Sequence, residues 1–448
     1  MKKWIALLLA VMMALPLAAC GNGGAGNSTP PSESGDKPSA NVPDDGAAEE
    51  LTVWCWDENF NIPIMETAAN YYREAGHPNF KLNIVNVPEV DLESRAITAF
   101  TSGVSDGLPD IYLMGDYSAK NFLISYPGMY ADLTDAIDAS KFAPNKTACY
   151  TLDGRLYGVP LDSGSAGMYY RVDLFEQAGY TAEDLEDITW FELVEIAKKV
   201  KEVTGKYVFV FTPYKGTHYM QIALQSAGQW FYGEDGESAN FVNNEVIRQM
   251  CEVLKAMYDA DVIYPVDYWS SEGVAGIQNG DVAAHISAVW YAPTLTAVDE
   301  MSGKWGYVRV PKLEGIEGAT QYSNIGGSSW VVMENSANKE LAIDFLATVF
   351  AGNLEFYEQI LTEQAAVATY LPAADSEAYQ QEVPFFNNNK IYADFAEWGS
   401  HIPEVDYGAN TSIAEDALRA VLQDYLDGKI ELDDMLSQAE SIYAMQAG

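Results

Sequence analysis

Histidine, cysteine and basic side chains are all scarce in this chain. Its 448 residues include 4 His, 4 Cys and 25 Lys plus Arg, against 65 Asp plus Glu. The histidines are well separated, which leaves no metal-ligand spacing. Apart from Cys20, the cysteines are Cys55, Cys149 and Cys251, so at most one disulfide can form among them, and none is expected to be required. Cys251 shares a helical stripe with Ile247, Met250, Leu254 and Met257, which makes it a core position. The formal charge of −40 repels nucleic acid and anionic membrane surfaces. It also disfavours an anionic ligand, and solubility accounts for most of it. No Gly-x-Ser-x-Gly, phosphate-cradling loop or zinc motif is present. There is no tandem repeat. The apolar run Trp4 to Leu17, broken only by Pro16, is shorter than the ~20 residues a spanning helix needs.

What is present begins with that run. Lys2 and Lys3 precede it and Leu17-Ala18-Ala19-Cys20 ends it, the layout of a signal peptide over residues 1–19. Small residues before a cysteine resemble the lipobox of bacterial lipoproteins, in which Cys20 becomes a lipidated N-terminus. Such lipid anchors a body without spanning the bilayer. Loss of Lys2 and Lys3 takes the charge from −40 to −42. From Gly21 to Glu50 there is no aromatic residue, and Gly, Ser, Pro, Asn and Asp dominate. This stretch, 20–50 with the cysteine, reads as a flexible tether reaching some ~30 Å. The remainder is long enough for two or more domains. Its composition, 48% hydrophobic and 12% aromatic, is that of a globular protein.

Leu51 to Trp56 is an apolar strand run that breaks at Asp57-Glu-Asn-Phe-Asn61, and Pro63 opens a helix. Phe80 to Val87 alternates as a second strand. A helix follows through Leu92, Ile97 and Phe100. Pro109 to Met114 is a third strand, ending in Gly115-Asp116-Tyr117. Strand alternating with helix predicts an α/β fold with a mainly parallel sheet. Ligands of such sheets bind beyond the carboxyl ends of strands. That rule selects Asp57, Asn59, Asn61 and Asp116, although each could simply cap the helix that follows. Leu152 to Tyr180 then reads as strand (Arg155 to Pro160), small-residue crossing (Asp162 to Gly167), strand (Met168 to Tyr170) and a helix start near Asp173. It is either a passage between two lobes or a loop within one domain. Gly326-Gly327-Ser328-Ser329 is a second such crossing. Thr189-Trp-Phe-Glu192 and Ser412-Ile-Ala-Glu415 read as capping boxes.

In this order the motifs resemble the extracellular solute-binding proteins of carbohydrate ABC importers, the group that includes maltose-binding protein. The resemblance covers nearly all of Leu51 to Tyr443. Its carriers are the lipobox, Pro109-Asp110-Ile111 with Asp116, Asp153 to Pro160, Tyr170 to Phe175 and Thr189-Trp190. Gly280 to Ala283 with Trp290, Gly326 to Trp330 and Asn338 to Ala342 complete the set. It implies two α/β lobes, each a mainly parallel sheet flanked by helices, with the ligand cleft at the hinge. Lobe one would take 51–161 plus 327–380, and lobe two 167–323 plus 385–448. Crossings would lie at 162–167, at 324–328 and near Gln381–Pro384. The resemblance further implies a non-enzymatic, monomeric receptor without metal or cofactor. It would deliver a neutral sugar, preferably an oligosaccharide, to a membrane permease, held by its lipid on the outer face of a single membrane in a Gram-positive setting.

A neutral sugar offers hydroxyls and apolar C–H faces, so its site needs carboxylates and amides beside flat rings. Trp290 and Trp230 are the expected rings of lobe two. Tyr407 precedes the C-terminal helix, where this family often supplies an aromatic contact. Of Trp54 and Trp56, at most one is expected in the cleft, and Trp56 is favoured. Asp57, Asn59, Asn61 and Asp116 come from lobe one, with Asp162 and Asn324 at the crossings. Trp330, which opens a strand, is expected to pack in the core. Two other readings stand beside this one: a receptor for a peptide or polyamine, and a surface glycoside hydrolase. The hydrolase needs two carboxylates at a defined separation, which a chain with 65 acidic residues cannot reveal by sequence proximity.

Overall fold

The apolar run at Leu51 becomes β1 (Glu50–Cys55), which pairs in parallel with β2 (Lys81–Asn86) and β3 (Ile111–Gly115). The computed structural model describes residues 49–447 apart from 59, 105–106, 163, 213–214 and 234. The signal peptide, Cys20, the tether up to residue 48, Asn59 and the Ser163 position of the first crossing therefore lie outside the described residues. The expected tether ends early, because Glu50 already sits opposite Lys81 in the sheet.

Two more strands complete this first sheet. β4 (Gly158–Pro160) forms its edge, and a later strand, Ser328–Val332, lies between β3 and β4, antiparallel to both. The second sheet holds β5 (Ala166–Arg171) at its centre, flanked by β6 (Ala284–Ala288) and β7 (Trp305–Val308). Numbered in chain order, Ser328–Val332 is β8. Both β6 and β7 run antiparallel to β5. A short parallel pair, Phe209–Val210 with Ile263–Tyr264, extends this lobe through a Tyr207–Val282 bridge.

The expectation of mainly parallel sheets thus holds for β2, β1 and β3 and for the Phe209–Val210 pair with Ile263–Tyr264, while β8 in the first sheet and the β5–β7 sheet are antiparallel, for a topological reason. β1 and β3 end at the cleft. β8 comes from the hinge and so begins at the cleft, with Ser328 opposite Gly115. A strand entering where its neighbours finish must run against them. In the second lobe β5 enters from the hinge at Ala166, which faces Ala288, the last residue of β6.

The two crossings form a ladder of their own. Ile325 N–H donates to Gly164 O (2.8 Å), Ala166 N–H to Ser323 O (2.9 Å) and Leu161 N–H to Ser328 O (3.1 Å). The strands touch so closely that a Cβ on Gly164 would lie 2.5 Å from Asn324 Oδ1. Further along the chain, the Tyr379 hydroxyl accepts the Ala368 N–H and the Phe385 carbonyl accepts the Gly303 N–H.

Packing follows the sequence pattern. Trp190, Trp305 and Trp330 are fully buried, each removing on the order of 200 Å² from water. At ~25 cal/mol per Å² that is about 5 kcal/mol apiece before entropy is counted. The Thr189 capping box forms: Glu192 N–H donates to Thr189 Oγ1 (3.1 Å) and Thr189 N–H to Glu192 Oε2 (2.8 Å). The Ser412 box does not. That helix is Thr411–Leu426, and Glu415 turns inward to take Thr217 Oγ1–H (3.2 Å) and Arg419 Nη2–H (2.7 Å). Cys55, Cys149 and Cys251 are buried free thiols. Burial, with Asp57 and Glu66, pushes the Cys55 thiol up to about 12.

Candidate functional site

The floor of the cleft is made by the hinge ladder and the strand ends beside it. Gly327 (φ +99°) is required there, because a Cβ would meet Asp116 Oδ2 and Lys146 Nζ, both at 2.5 Å. Asp116 opens the helix Asp116–Ser125 and is 2% exposed. Its carboxylate pairs with the equally buried Lys146. The Tyr150 hydroxyl lies 2.6 Å from Met114 O and 3.1 Å from Asp116 Oδ1. Burial pushes the Asp116 carboxyl up to about 6, with Lys146 pulling against it. Burial also opposes charge on Lys146, but Asp116 and Asp162 outweigh it and raise its affinity for a proton. At neutral pH the pair is charged, and it is a hinge strut as built.

The other predicted polar residues are also engaged with the backbone. Asp57 Oδ1 accepts Phe60 N–H (3.1 Å). Asn61, almost fully buried, accepts Trp56 N–H (3.3 Å) and Asp57 N–H (3.1 Å), which holds the half-buried Trp56 in place. Asp162 Oδ1 accepts both the N–H (3.0 Å) and the hydroxyl (2.9 Å) of Ser328, tying one crossing to the other. Asn324 Nδ2–H donates to Gly326 O (2.9 Å), while its Oδ1 is buried with no hydrogen-bond partner among the described residues.

One edge of the cleft is closed by aromatic rings. Tyr117, one residue past Asp116, packs against Trp230 (5.5 Å between centroids) and edge-on to Tyr407 (4.9 Å). Trp230 and Tyr407 are 4.6 Å apart. The Trp230 indole N–H donates to Thr411 Oγ1 (2.9 Å), whose own hydroxyl donates to Tyr407 O. The Tyr407 hydroxyl donates to Gln225 Oε1 (2.7 Å). Tyr117 Oη accepts Gly326 N–H (3.1 Å), which seats the cluster on the hinge.

The other edge is open among the described residues. Trp290 follows β6, and its indole N–H donates to Ile325 O (3.2 Å). Trp269 stacks on it at 5.6 Å and 17°, and 49% of Trp269 stays exposed. Tyr268 Oη lies 3.0 Å from His218 Nδ1. Across from them Glu89 stands at the end of the loop after β2, its carboxylate over the Gly115 backbone. Glu89 is accessible to solvent yet enclosed by the cleft walls. This partial burial and Glu93 push its carboxyl up to about 7, Lys215 of the second lobe pulls it down, and Asp116 adds to the rise.

The sequence model of bacterial extracellular solute-binding proteins matches residues 67–394. The chain belongs to this family. A lactose-binding protein of Rhizobium radiobacter is 42% identical over 399 residues, covering 89% of this chain and 93% of its own. An arabinooligosaccharide-binding protein of Bacillus subtilis is 26% identical, over 78% of this chain and 76% of its own. Solved structures share the two-lobed architecture. An ABC-transporter-associated binding protein of B. animalis subsp. lactis, in complex with β-1,6-galactobiose, superposes with a TM-score of 0.72 at 20% identity, over 89% of this chain and 98% of that one. The lacto-N-biose complex of a binding protein from Bifidobacterium longum gives 0.71 at 21%, over 90% and 97%.

Within this solute-binding architecture the structure gathers Trp290, Asp116, Asp162 and Asn324 around the hinge and sets Trp230 and Tyr407 together at the closed edge. Asp57, Asn61 and Trp56 lie at the end of β1. Sequence reasoning missed Glu89, Lys215, Trp269 and Tyr117. The strand-end rule applied at β1 and β3 would have found Glu89 had it been applied at β2. Trp269 carries a weaker signal, an aromatic pair inside the polar turn Asp267 to Ser270. Nothing local marks Lys215.

Proposed function

We propose that this chain is the sugar receptor of an ABC importer and that its ligand is a small neutral β-galactoside of the lactose type. The 42%-identical lactose-binding relative, aligned over nearly its whole length, carries this reading. The half-exposed Trp269–Trp290 stack beside the hinge supports it, because a flat apolar platform suits the C–H face of a pyranose. Cys20 bears the lipid that holds the body outside the membrane, and the receptor works as a monomer. The lobes are 51–161 plus 327–380 and 167–323 plus 385–448. They rotate about the crossing ladder, a motion that only a few residues need to absorb. Ligand touching both lobes favours the closed state, which docks on the permease. No turnover is expected, because the family the chain belongs to is one of binding proteins.

A thermal-shift titration of the body from Glu50 onward, with lactose, tests the reading. Ligand at one hundred times its Kd should stabilise the fold by about 2.7 kcal/mol. Trp290→Ala should abolish the shift while leaving the unliganded melting temperature nearly in place. A folded protein that ignores lactose and other neutral saccharides, or responds to peptides or polyamines instead, would sink the proposal.

A further inference from the structure

The two edges of the cleft are built so differently that they constrain the shape of the ligand. We infer that the cleft is blind at the Tyr117–Trp230–Tyr407 edge, so that a bound sugar chain extends beyond the site from the Glu89–Trp269 edge only. This inference rests on the sugar reading above and adds polarity to it.

Three observations carry it. First, the plug is satisfied internally. Trp230 and Tyr407 are 4% and 6% exposed, the Trp230 N–H and the Tyr407 O–H each have a partner, and the rings close on Tyr117 from the other lobe. A pyranose entering here would have to displace aromatic surface of 150–250 Å² per ring, roughly, and break bonds it cannot replace. Second, the rim outside the plug is laced across the lobes. Asn121 Nδ2–H donates to Ala409 O (2.6 Å), and Lys120 Nζ lies 3.9 Å from Asp406 Oδ2. A 320 Å³ hollow on this side is lined by Asp116, Lys120, Cys149, Glu404, Asp406 and Tyr407 and by neither Trp269 nor Trp290, so it meets the cleft floor at Asp116 without reaching the tryptophan platform. Third, the plug sits on the pivot. Tyr117 Oη holds Gly326 N–H of the crossing ladder, where a rotation of the lobes moves atoms least. Lobe opening therefore widens the Glu89–Trp269 side far more than the plug.

Among the described residues the opposite edge has no such seal. Glu89 is exposed, half of Trp269 is exposed, and Lys215 stands on the second lobe facing Glu89. A chain leaving the site on this side passes over a ring and between a carboxyl and an ammonium group that suit hydroxyls.

The test is calorimetric titration of galactose, lactose and two trisaccharides, one extending lactose at its non-reducing end and one through its anomeric carbon. One trisaccharide should bind within about threefold of lactose and the other at least roughly thirtyfold more weakly, the size of an overpacking penalty. Equal or tighter binding of both trisaccharides would overturn the inference, as would rejection of both. Tyr117→Ala should rescue the rejected trisaccharide by about tenfold relative to lactose. Should that variant not fold, the wild-type pair of trisaccharides still decides. Failure of every sugar, galactose included, on folded protein would overturn the sugar reading and this inference with it, an outcome distinct from a missing end preference.

Discussion

Trp230 and Trp290 invite comparison because both reach the hinge from the second lobe and both present an indole to the cleft wall, yet they end in opposite situations. Trp230 has its N–H on Thr411 and its rings against Tyr117 and Tyr407, and it is buried. Trp290 has its N–H on the Ile325 carbonyl and Trp269 stacked on it, and the pair keeps open surface. An aromatic residue near a cleft is thus not a platform by virtue of its type. What decides is whether its faces are already taken by other rings. The closed edge uses indole and phenol as mortar, and the open edge leaves the same chemistry available.

The sharpest way to break this comparison is Trp230→Ala. If the ring is packing, its removal leaves a cavity among Tyr117, Phe231 and Tyr407 and should cost about 3–5 kcal/mol of stability in chemical denaturation. Any loss of lactose affinity should then be smaller than that produced by Trp290→Ala. A Trp230→Ala protein of unchanged stability that no longer binds sugar would make the two tryptophans equivalent and dissolve the distinction.

The same contrast explains what could be read from the residues beforehand. The small-residue stretches Asp162 to Gly167 and Gly326 to Ser329, which the structure sets side by side, were visible because glycine and serine runs between strand patterns are a local signal. So were the Thr189 capping box and the buried Trp330. The reversed direction of β8 was not, since strand direction depends on where the chain re-enters a sheet, which no local pattern records. Asp116 was singled out by its place after β3, and it is there, but its partner Lys146 comes from a helix thirty positions later and turns it into a strut. The Ser412 capping box failed because Glu415 found Arg419 and Thr217 instead. Position relative to a strand end was legible; whether a side chain there is free or spoken for depends on residues distant in sequence.

A second difference between the edges is titratable. Beneath the open edge, His285 is 1% exposed, ringed by Tyr268 (5.0 Å) and Tyr291 (4.4 Å), and neither ring nitrogen has a hydrogen-bond partner among the described residues. Burial lowers its proton affinity to a pKa of about 3. The unfolded chain, with an ordinary imidazole, binds the proton first, so this contribution to stability is present above about pH 6.5 and is lost as the pH falls toward 3. Between pH 6.5 and pH 5 the loss from His285 alone should approach about 2 kcal/mol. Urea denaturation at the two pH values, on wild type and His285→Phe, measures it; His218, also lowered to about 3 by burial, then Lys215, Arg419 and His285, is present in both proteins and subtracts out to first order. An identical pH dependence in the two proteins would show that the imidazole is not sealed in, and that the wall under the open edge is wetter than its packing suggests.

The smallest expected effect is the most discriminating. Trp269→Ala removes one member of the stacked pair from a position that is already half in solvent, so little packing is at stake and the melting temperature should hardly move. The lost ring surface should still weaken lactose binding by about tenfold, near 1.4 kcal/mol, the scale of one aromatic contact. Trp269→Phe, which keeps a flat face, should recover most of it. Unchanged affinity in Trp269→Ala would confine the platform to Trp290. A fall in stability comparable to that of Trp230→Ala would show that Trp269 braces Trp290 as Tyr117 braces Trp230, and the open edge would then be built by the same rule as the closed one, merely with fewer layers.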